Sequence, residues 1–470
     1  MTLVQNPRRR PSLPPSGAIG ALVNQRALTS GGRPAFIDVV AGSTVTWRDV
    51  ALAARLLRDG CGGADAGLAG LAVASPTDFC LHFLAALAAG VPIATLDPRS
   101  SDAEQLWSIA TLGVTLMMRD GGDLVEVRPA RSGCAQLDPA THGRAAHPTA
   151  GTPARDGAAV VAVTRGSTGP AKLVPLTEGQ LVLAAADTVR HLGLGPSDVG
   201  YCATPLHQID TQVVGVLAAL LSGGAVAVGD FDRRSTWATT DRCGATWMNL
   251  TPAMVAALAG VPAPDAAVKR RLRFARVSGA ELPLGIHGRF WQATGVPLLE
   301  SYSLAEAAGP VTSNPVDVAG RRAGSVGCPM GAEVRIVGEN GKPAPAGQRG
   351  RVQLRGDRIM SHYLPYGSAA RRRAPLRATD ADGWLETGDV GHRTADGYLY
   401  LTGRLPTHAA AERAGQAGVA HSGGVAGASG AHSDLSTRRL QRQEDGAAER
   451  SSQVACGTPA SPLRAAAFRP

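Results

Sequence analysis

Nine residues, Thr164-Arg165-Gly166-Ser167-Thr168-Gly169-Pro170-Ala171-Lys172, crowd hydroxyls, glycines and a lysine directly behind the apolar run 158–163. Such a turn can hold phosphate, because backbone N–H groups converge on an anion, the hydroxyls add donors and the lysine supplies a point charge. A flexible surface turn would look similar in a chain with 58 glycines among its 470 residues. The lysine is the less accidental part: Lys172, Lys269 and Lys342 are the only lysines, every other cationic side chain apart from histidine being arginine.

The elements that must position this loop read as alternating helices and short apolar strands, the rhythm of an α/β fold with substantial parallel sheet. Helices are expected over 47–58, 78–89, 178–190 and 211–221, and strands over 70–75, 91–96, 225–228, 245–249, 274–278 and 296–300. Residues 129–156, rich in Pro, Gly and Ala, read as a loop. After about Ser325 the character changes to short strands at 332–337, 351–355 and 398–401, separated by Gly-rich and Asp-Gly turns. This implies an arm over 1–16, an α/β core over 17–324, a small β-rich subdomain over 325–404 and a tail over 405–470. The arm and tail lack the apolar periodicity of a packed core and are expected to be disordered.

A formal charge of +9 raises the question of nucleic acid, but the arginines are scattered and no aromatics interleave with them as a stacking platform requires. No nucleic-acid partner is expected. Seven cysteines, odd in number and without a CxxC pair, argue against a zinc site or disulfide framework and for a reducing, cytoplasmic setting. No export signal is visible, and the longest apolar run, 213–228, is broken by Gly223-Gly224, so no membrane span is expected.

Four segments, in order, resemble the adenylate-forming superfamily of acyl-CoA synthetases, luciferases and peptide-synthetase adenylation domains. The loop Thr164 to Lys172 is similar to its phosphate loop T-S-G-T-T-G-x-P-K-G, with Gly166, Ser167, Thr168, Gly169 and Lys172 retained and Arg165, Ala171 and Leu173 departing. Leu299 to Glu306 resembles E-x-Y-G-x-T-E, in which the tyrosine, here Tyr302, packs near adenine and the last glutamate, here Glu306, holds Mg²⁺. A carboxylate is the hard oxygen ligand that such an ion accepts, while Ala305 replaces a phosphate-contacting threonine. Trp384 to Asp389 resembles W-x-x-T-G-D, whose aspartate accepts from the ribose hydroxyls. The residues from Asp396 to Arg404 resemble D-G-y-l-x-x-x-G-R, whose arginine reaches the nucleotide. Smaller agreements include Gly279-Ala280-Glu281 and Met360 to Leu364.

The resemblance covers roughly Gly17 to Arg404 and implies the large N-terminal domain of such enzymes: stacked mixed sheets with flanking helices and a small β-rich subdomain. It implies ATP and Mg²⁺ as cofactors, a carboxylic acid substrate activated as acyl-adenylate, and coenzyme A or another thiol as acceptor. Lys172 and Glu306 are then the candidate catalytic residues, with Thr164, Gly166, Ser167, Thr168, Gly169, Tyr302, Asp389 and Arg404 around the nucleotide. Pro205 to Thr211 resembles the P-L-F-H-x-x-G segment that opens the acyl pocket, which adds His207, Gln208, Asp210, Gly279, Ala280 and Ser303. His207 either lines that pocket or packs beside it. Asp210 also aligns with the aspartate that pairs with a substrate ammonium in amino-acid adenylation domains, so an amino-acid-activating enzyme is one alternative and a non-catalytic adenylate-binding protein another.

The family continues beyond G-R into a C-terminal domain carrying a catalytic lysine. No lysine follows Lys342 here, and 405–470 has the composition of a GC-rich frame read out of phase. A C-terminal domain in trans or a carrier protein is the partner this implies, and adenylation by the chain alone is expected to be slow.

Overall fold

The computed structural model describes residues 14, 16–61, 67–120, 157–164, 172–365 and 375–405, together with the backbone of 124–129 and 135–137. The expected arm, except for residues 14 and 16, the loop residues 165–171 and the tail beyond residue 405 lie outside the described residues. Two large sheets dominate. The seven-stranded one runs Ala135–Leu137, Leu124–Pro129, Leu116–Met118, Ala69–Leu71, Ile93–Thr95, Ala158–Thr164, Lys172–Thr177. Its four middle strands up to Ala158–Thr164 are parallel, and Lys172–Thr177 closes that edge antiparallel. The nine-stranded sheet runs Cys328–Pro329, Gly309–Ser313, Leu298–Leu304, Phe274–Val277, Trp247–Leu250, Val199–Cys202, Ala225–Val228, Pro34–Asp38, Thr44–Thr46, parallel from Leu298–Leu304 through Pro34–Asp38.

Alternation along each strand assigns its faces. Val226, Trp247, Phe274 and Leu299 of one sheet share an apolar cluster with Ile93, Val160 and Val174 of the other, together with the helices Pro76–Ala89 and Glu178–Leu192. Neighbouring residues Ala227, Met248, Ala275 and Leu298 point the other way, into a second core covered by Pro252–Leu258 and Leu284–Thr294. Ala94, Val161 and Leu173 likewise face Ile109 of Asp102–Leu112. Helices therefore lie between the two sheets as well as outside them. That is why the strands read as continuous apolar runs: both faces are buried. The inner helices are also capped by sequence. Ser75 accepts from Asp78 N and Pro76 follows it, and Thr177 with Gln180 forms a capping box before a left-handed Gly193 ends the helix.

Two expectations need correction. The 129–156 stretch includes a strand, Ala135–Leu137, paired with Leu124–Pro129; a run of three residues is too short to stand out against Pro and Gly. The helix expected over 211–221 starts at Ile209 and is π-helical over Gln212–Leu217 before returning to α over Ala218–Ser222. A third, four-stranded antiparallel sheet joins Glu333–Val337, Gly350–Arg355, Leu385–Arg393 and Leu399–Arg404 around its own small core. No helix among the described residues is long and apolar enough to cross a membrane.

Candidate active site

Thr164 ends one strand and Lys172 begins the next, and antiparallel pairing sets them opposite each other, with Thr164 Oγ1 3.4 Å from the Lys172 carbonyl. Gly166, Ser167, Thr168 and Gly169, on the connection between them, lie outside the described residues. The Lys172 ammonium does not point into open space. It lies 3.5 Å from the Tyr363 hydroxyl and 4.7 Å from the centre of that ring, a cation–π distance. Tyr363 is held there by its neighbour, since Leu364 N donates to the Leu173 carbonyl at 3.0 Å.

The same tyrosine hydroxyl donates to Glu306 Oε1 at 2.9 Å. Glu306 sits on the single 3₁₀ turn Ala305–Ala307 that follows strand Leu298–Leu304, and Met360 N donates to its carbonyl at 2.9 Å. Residues 172, 306 and 363, from three separate segments, thus form one chain of contacts. Burial, then the Glu306 charge, pushes the Tyr363 phenol well above its ordinary range, so it stays a donor.

A second convergence involves the small sheet. Tyr302 is buried on Leu298–Leu304, and its hydroxyl donates to Asp389 Oδ2. Asp389 lies within strand Leu385–Arg393, not in the turn that Gly388 suggests, and its register partner on the adjacent strand is Arg404. The Arg404 guanidinium is 3.6 Å from Asp389 Oδ1 and half-exposed. Burial raises the Asp389 carboxyl above its ordinary value, with the Tyr302 hydrogen bond and Arg404 opposing.

Between the strand end at residues 162–164 and the strand ends of the nine-stranded sheet at Ser278 and Ser303 opens a cavity of about 510 Å³. Thr164, Ser303 and Ala305 belong to its wall, and so do His207, Gln208, Asp210 and Gly279. Ala280 is exposed next to Gly279 and is not part of that wall. His207 does line the cavity; its Nδ1 lies 3.8 Å from Asp97 Oδ1, and Thr95 donates to its carbonyl. Asp210 is gripped by Arg276 through two bonds of 2.8 Å. Burial alone would raise the Asp210 carboxyl, but Arg276, Ser303 and Ser278 hold it below the ordinary value.

Two residues of this site escaped sequence reading. Tyr363 lies inside the segment 360–364 but carries no chemistry until Lys172 and Glu306 are placed on either side of it. Arg276 had a usable signal: an arginine inside the apolar strand Phe-Ala-Arg-Val must find a buried partner.

Residues 23–364 match the model of the AMP-binding enzyme family. The chain belongs to that family. It is 39% identical over 225 residues to a sulfoacetate–CoA ligase of Cupriavidus necator, a stretch covering 48% of this chain and 43% of that one. It is 32% identical over 217 residues to an oxalate–CoA ligase of Arabidopsis thaliana, covering 45% and 41%. The chain thus spans less than half the length of these relatives. The fold is that of ATP-bound MatB from Rhodopseudomonas palustris, with TM-score 0.68 at 20% identity over 83% of this chain and 79% of that one. It is also that of O-succinylbenzoate coenzyme A synthetase from Bacillus subtilis in complex with AMP, with TM-score 0.66, 20% identity, and 82% and 78% covered.

Proposed function

We propose that this chain binds ATP and activates a carboxylic acid as its acyl-adenylate for transfer to coenzyme A or a carrier thiol. The observation that carries this reading is the convergence of Lys172, Tyr363 and Glu306, two of which have neighbours in the cavity wall: Thr164, the register partner of Lys172, and Ala305, which precedes Glu306. A phosphate chain there would meet the lysine from one side and the glutamate from the other. A carboxylate oxygen attacks the α-phosphorus, the bond to the pyrophosphate oxygen breaks, and pyrophosphate leaves. Little covalent chemistry is asked of the protein, whose contribution is positioning and charge neutralisation.

In this reading Thr164, Gly166, Ser167, Thr168, Gly169 and Lys172 cradle the β- and γ-phosphates. Tyr302 packs at the adenine, and Asp389 and Arg404 hold the ribose, where a carboxylate can accept two hydroxyls. Gly279, Ser303, His207, Gln208 and Asp210 surround the acid, with Ala280 just outside the wall. Glu306 suits Mg²⁺: among the described residues only Tyr363 hydrogen-bonds to its carboxylate, and no cluster of three acidic, His or Cys side chains competes for an ion. One carboxylate plus phosphate oxygens and water is the usual arrangement for that ion. When bound it supplies charge neutralisation at the phosphates.

The amino-acid alternative loses support from Asp210, whose oxygens already receive Arg276, Ser278 and Ser303. The test is calorimetric binding of ATP with Mg²⁺, followed by ATP–pyrophosphate exchange over a panel of acids that includes sulfoacetate, oxalate and amino acids. Binding with slow acid-dependent exchange is expected, accelerated by a family C-terminal domain added in trans. Binding without exchange for any acid, even with that domain, would leave a non-catalytic adenylate-binding protein. Absence of nucleotide binding would end the proposal.

A further inference from the structure

Strand Phe274–Val277 carries a guanidinium into the interior: Arg276 is only 1% exposed. A charge so placed must be paired and hydrogen-bonded. Its counter-ion comes from the short helix Ile209–Thr211, where Asp210 Oδ1 and Oδ2 each receive one guanidinium nitrogen at 2.8 Å. Ser303 Oγ donates to Oδ1 at 2.6 Å and Ser278 Oγ to Oδ2 at 2.9 Å. A carboxylate offers about four acceptor positions, and these four donors fill them.

The network closes on itself. Arg276 also reaches Asn249 Oδ1 at 2.7 Å, Asn249 donates to Thr204 at 3.0 Å, and Thr204 meets Thr211 at 2.8 Å. Asp210, Ser278, Ser303, Thr204 and Thr211 all line the cavity, with Arg276 behind them.

We infer that the Asp210–Arg276 pair makes the acyl pocket's floor electrically neutral and saturated in hydrogen bonds, so that the acid it takes carries one carboxylate and an otherwise uncharged tail. The inference rests on the adenylation reading above. A second carboxylate or sulfonate could reach Arg276 only by displacing Asp210 from a buried bidentate pair. A substrate ammonium would find no acceptor position left on Asp210. An uncharged tail disturbs neither partner, and the amide of Gln208, exposed at the cavity wall, remains for a neutral polar group.

The test uses adenosine 5′-sulfamates acylated with tails matched in length, namely 4-hydroxybutyryl, succinyl and 4-aminobutyryl, alongside unacylated 5′-sulfamoyladenosine. Calorimetry on the full chain is expected to give the hydroxyl-tailed analogue an affinity at least about tenfold above either charged one. A charged analogue binding as tightly as the hydroxyl one, with the unacylated compound also bound, overturns this inference and leaves the adenylation reading intact. If no analogue binds, the unacylated one included, both fall. A second arm uses Asp210→Asn, which keeps the shape but leaves Arg276 uncompensated. The folded variant should gain at least about tenfold for the succinyl analogue over wild type, and no gain would overturn the inference. Should the variant fail to fold, the wild-type order decides.

Discussion

The hydroxyl of Tyr363 donates to Glu306 and receives Lys172, so the two charges that the proposed function assigns to a phosphate chain share one phenol. At the proposed ribose end, Asp389 is buried against Tyr302. The folded Asp389 carboxyl titrates above its ordinary 3.8, mainly through burial. A raised folded value means stability that is complete below the unfolded value and is lost as pH climbs through the folded one. At neutral pH, Asp389 therefore costs the fold something that ribose binding can repay. Asp389→Asn should keep or raise the unfolding midpoint at pH 7 and weaken AMP binding at least about tenfold, because a neutral amide accepts hydroxyls more weakly than a carboxylate. Calorimetry and thermal unfolding of the same sample check both halves. Asp210 has the opposite sign: its lowered value gives stability above the unfolded value that disappears as pH falls through the folded one. Lys172, Glu306, Asp389 and Asp210 stood out as candidates in the sequence because each sits in a local pattern. Tyr363 matters only through partners dozens of residues away, which no local pattern encodes, whereas for Arg276 the apolar strand signals a buried partner without naming Asp210.

Among the elements, the helix Glu178–Leu192 is tied to the far edge of the nine-stranded sheet by His191, which meets the Asn314 carbonyl, and by Arg358. Arg358 is 1% exposed, donates to the carbonyls of Pro310 and Met330, and lies 3.6 Å from Asp187 on that helix. Burial pushes its guanidinium down to about 10, partly offset by Asp187, so it remains charged at neutral pH. Arg358→Ala removes the donor from the Pro310 and Met330 carbonyls while Asp187 keeps Arg190, and the expected loss in urea unfolding is about 1–3 kcal/mol for each carbonyl left unsatisfied. Element types were legible where both faces are apolar, as at Ala225–Val228. The π-helical stretch Gln212–Leu217 was not, because its sequence, Gln-Val-Val-Gly-Val-Leu, has the apolar character of an ordinary buried helix. Strand Leu385–Arg393 was not among the strands expected from sequence, because Thr-Gly-Asp carries turn chemistry, yet flanking strands on both sides supply the hydrogen bonds that hold it extended.

At the scale of the molecule, the order of strands in space departs far from their order in the chain. Pro34–Asp38 lies in the nine-stranded sheet beside Ala225–Val228, while the whole described seven-stranded sheet is made from residues between them. Helix Pro76–Ala89, buried at ten of its fourteen positions, has Phe36, Val226 and Leu299 of the second sheet in the same cluster. During synthesis at about 5–20 residues per second, that strand and that helix wait on the order of ten to forty seconds for residue 228 to emerge. An apolar layer is exposed for that interval, a period in which a chaperone can bind and neighbouring nascent chains can stick. Ribosome-bound chains halted near residue 200 should bind a hydrophobic dye and be cut readily in Pro76–Ala89, whereas chains halted after strand Gly309–Ser313 has emerged should resist. Equal resistance in both would show that the first sheet closes its inner face without the second.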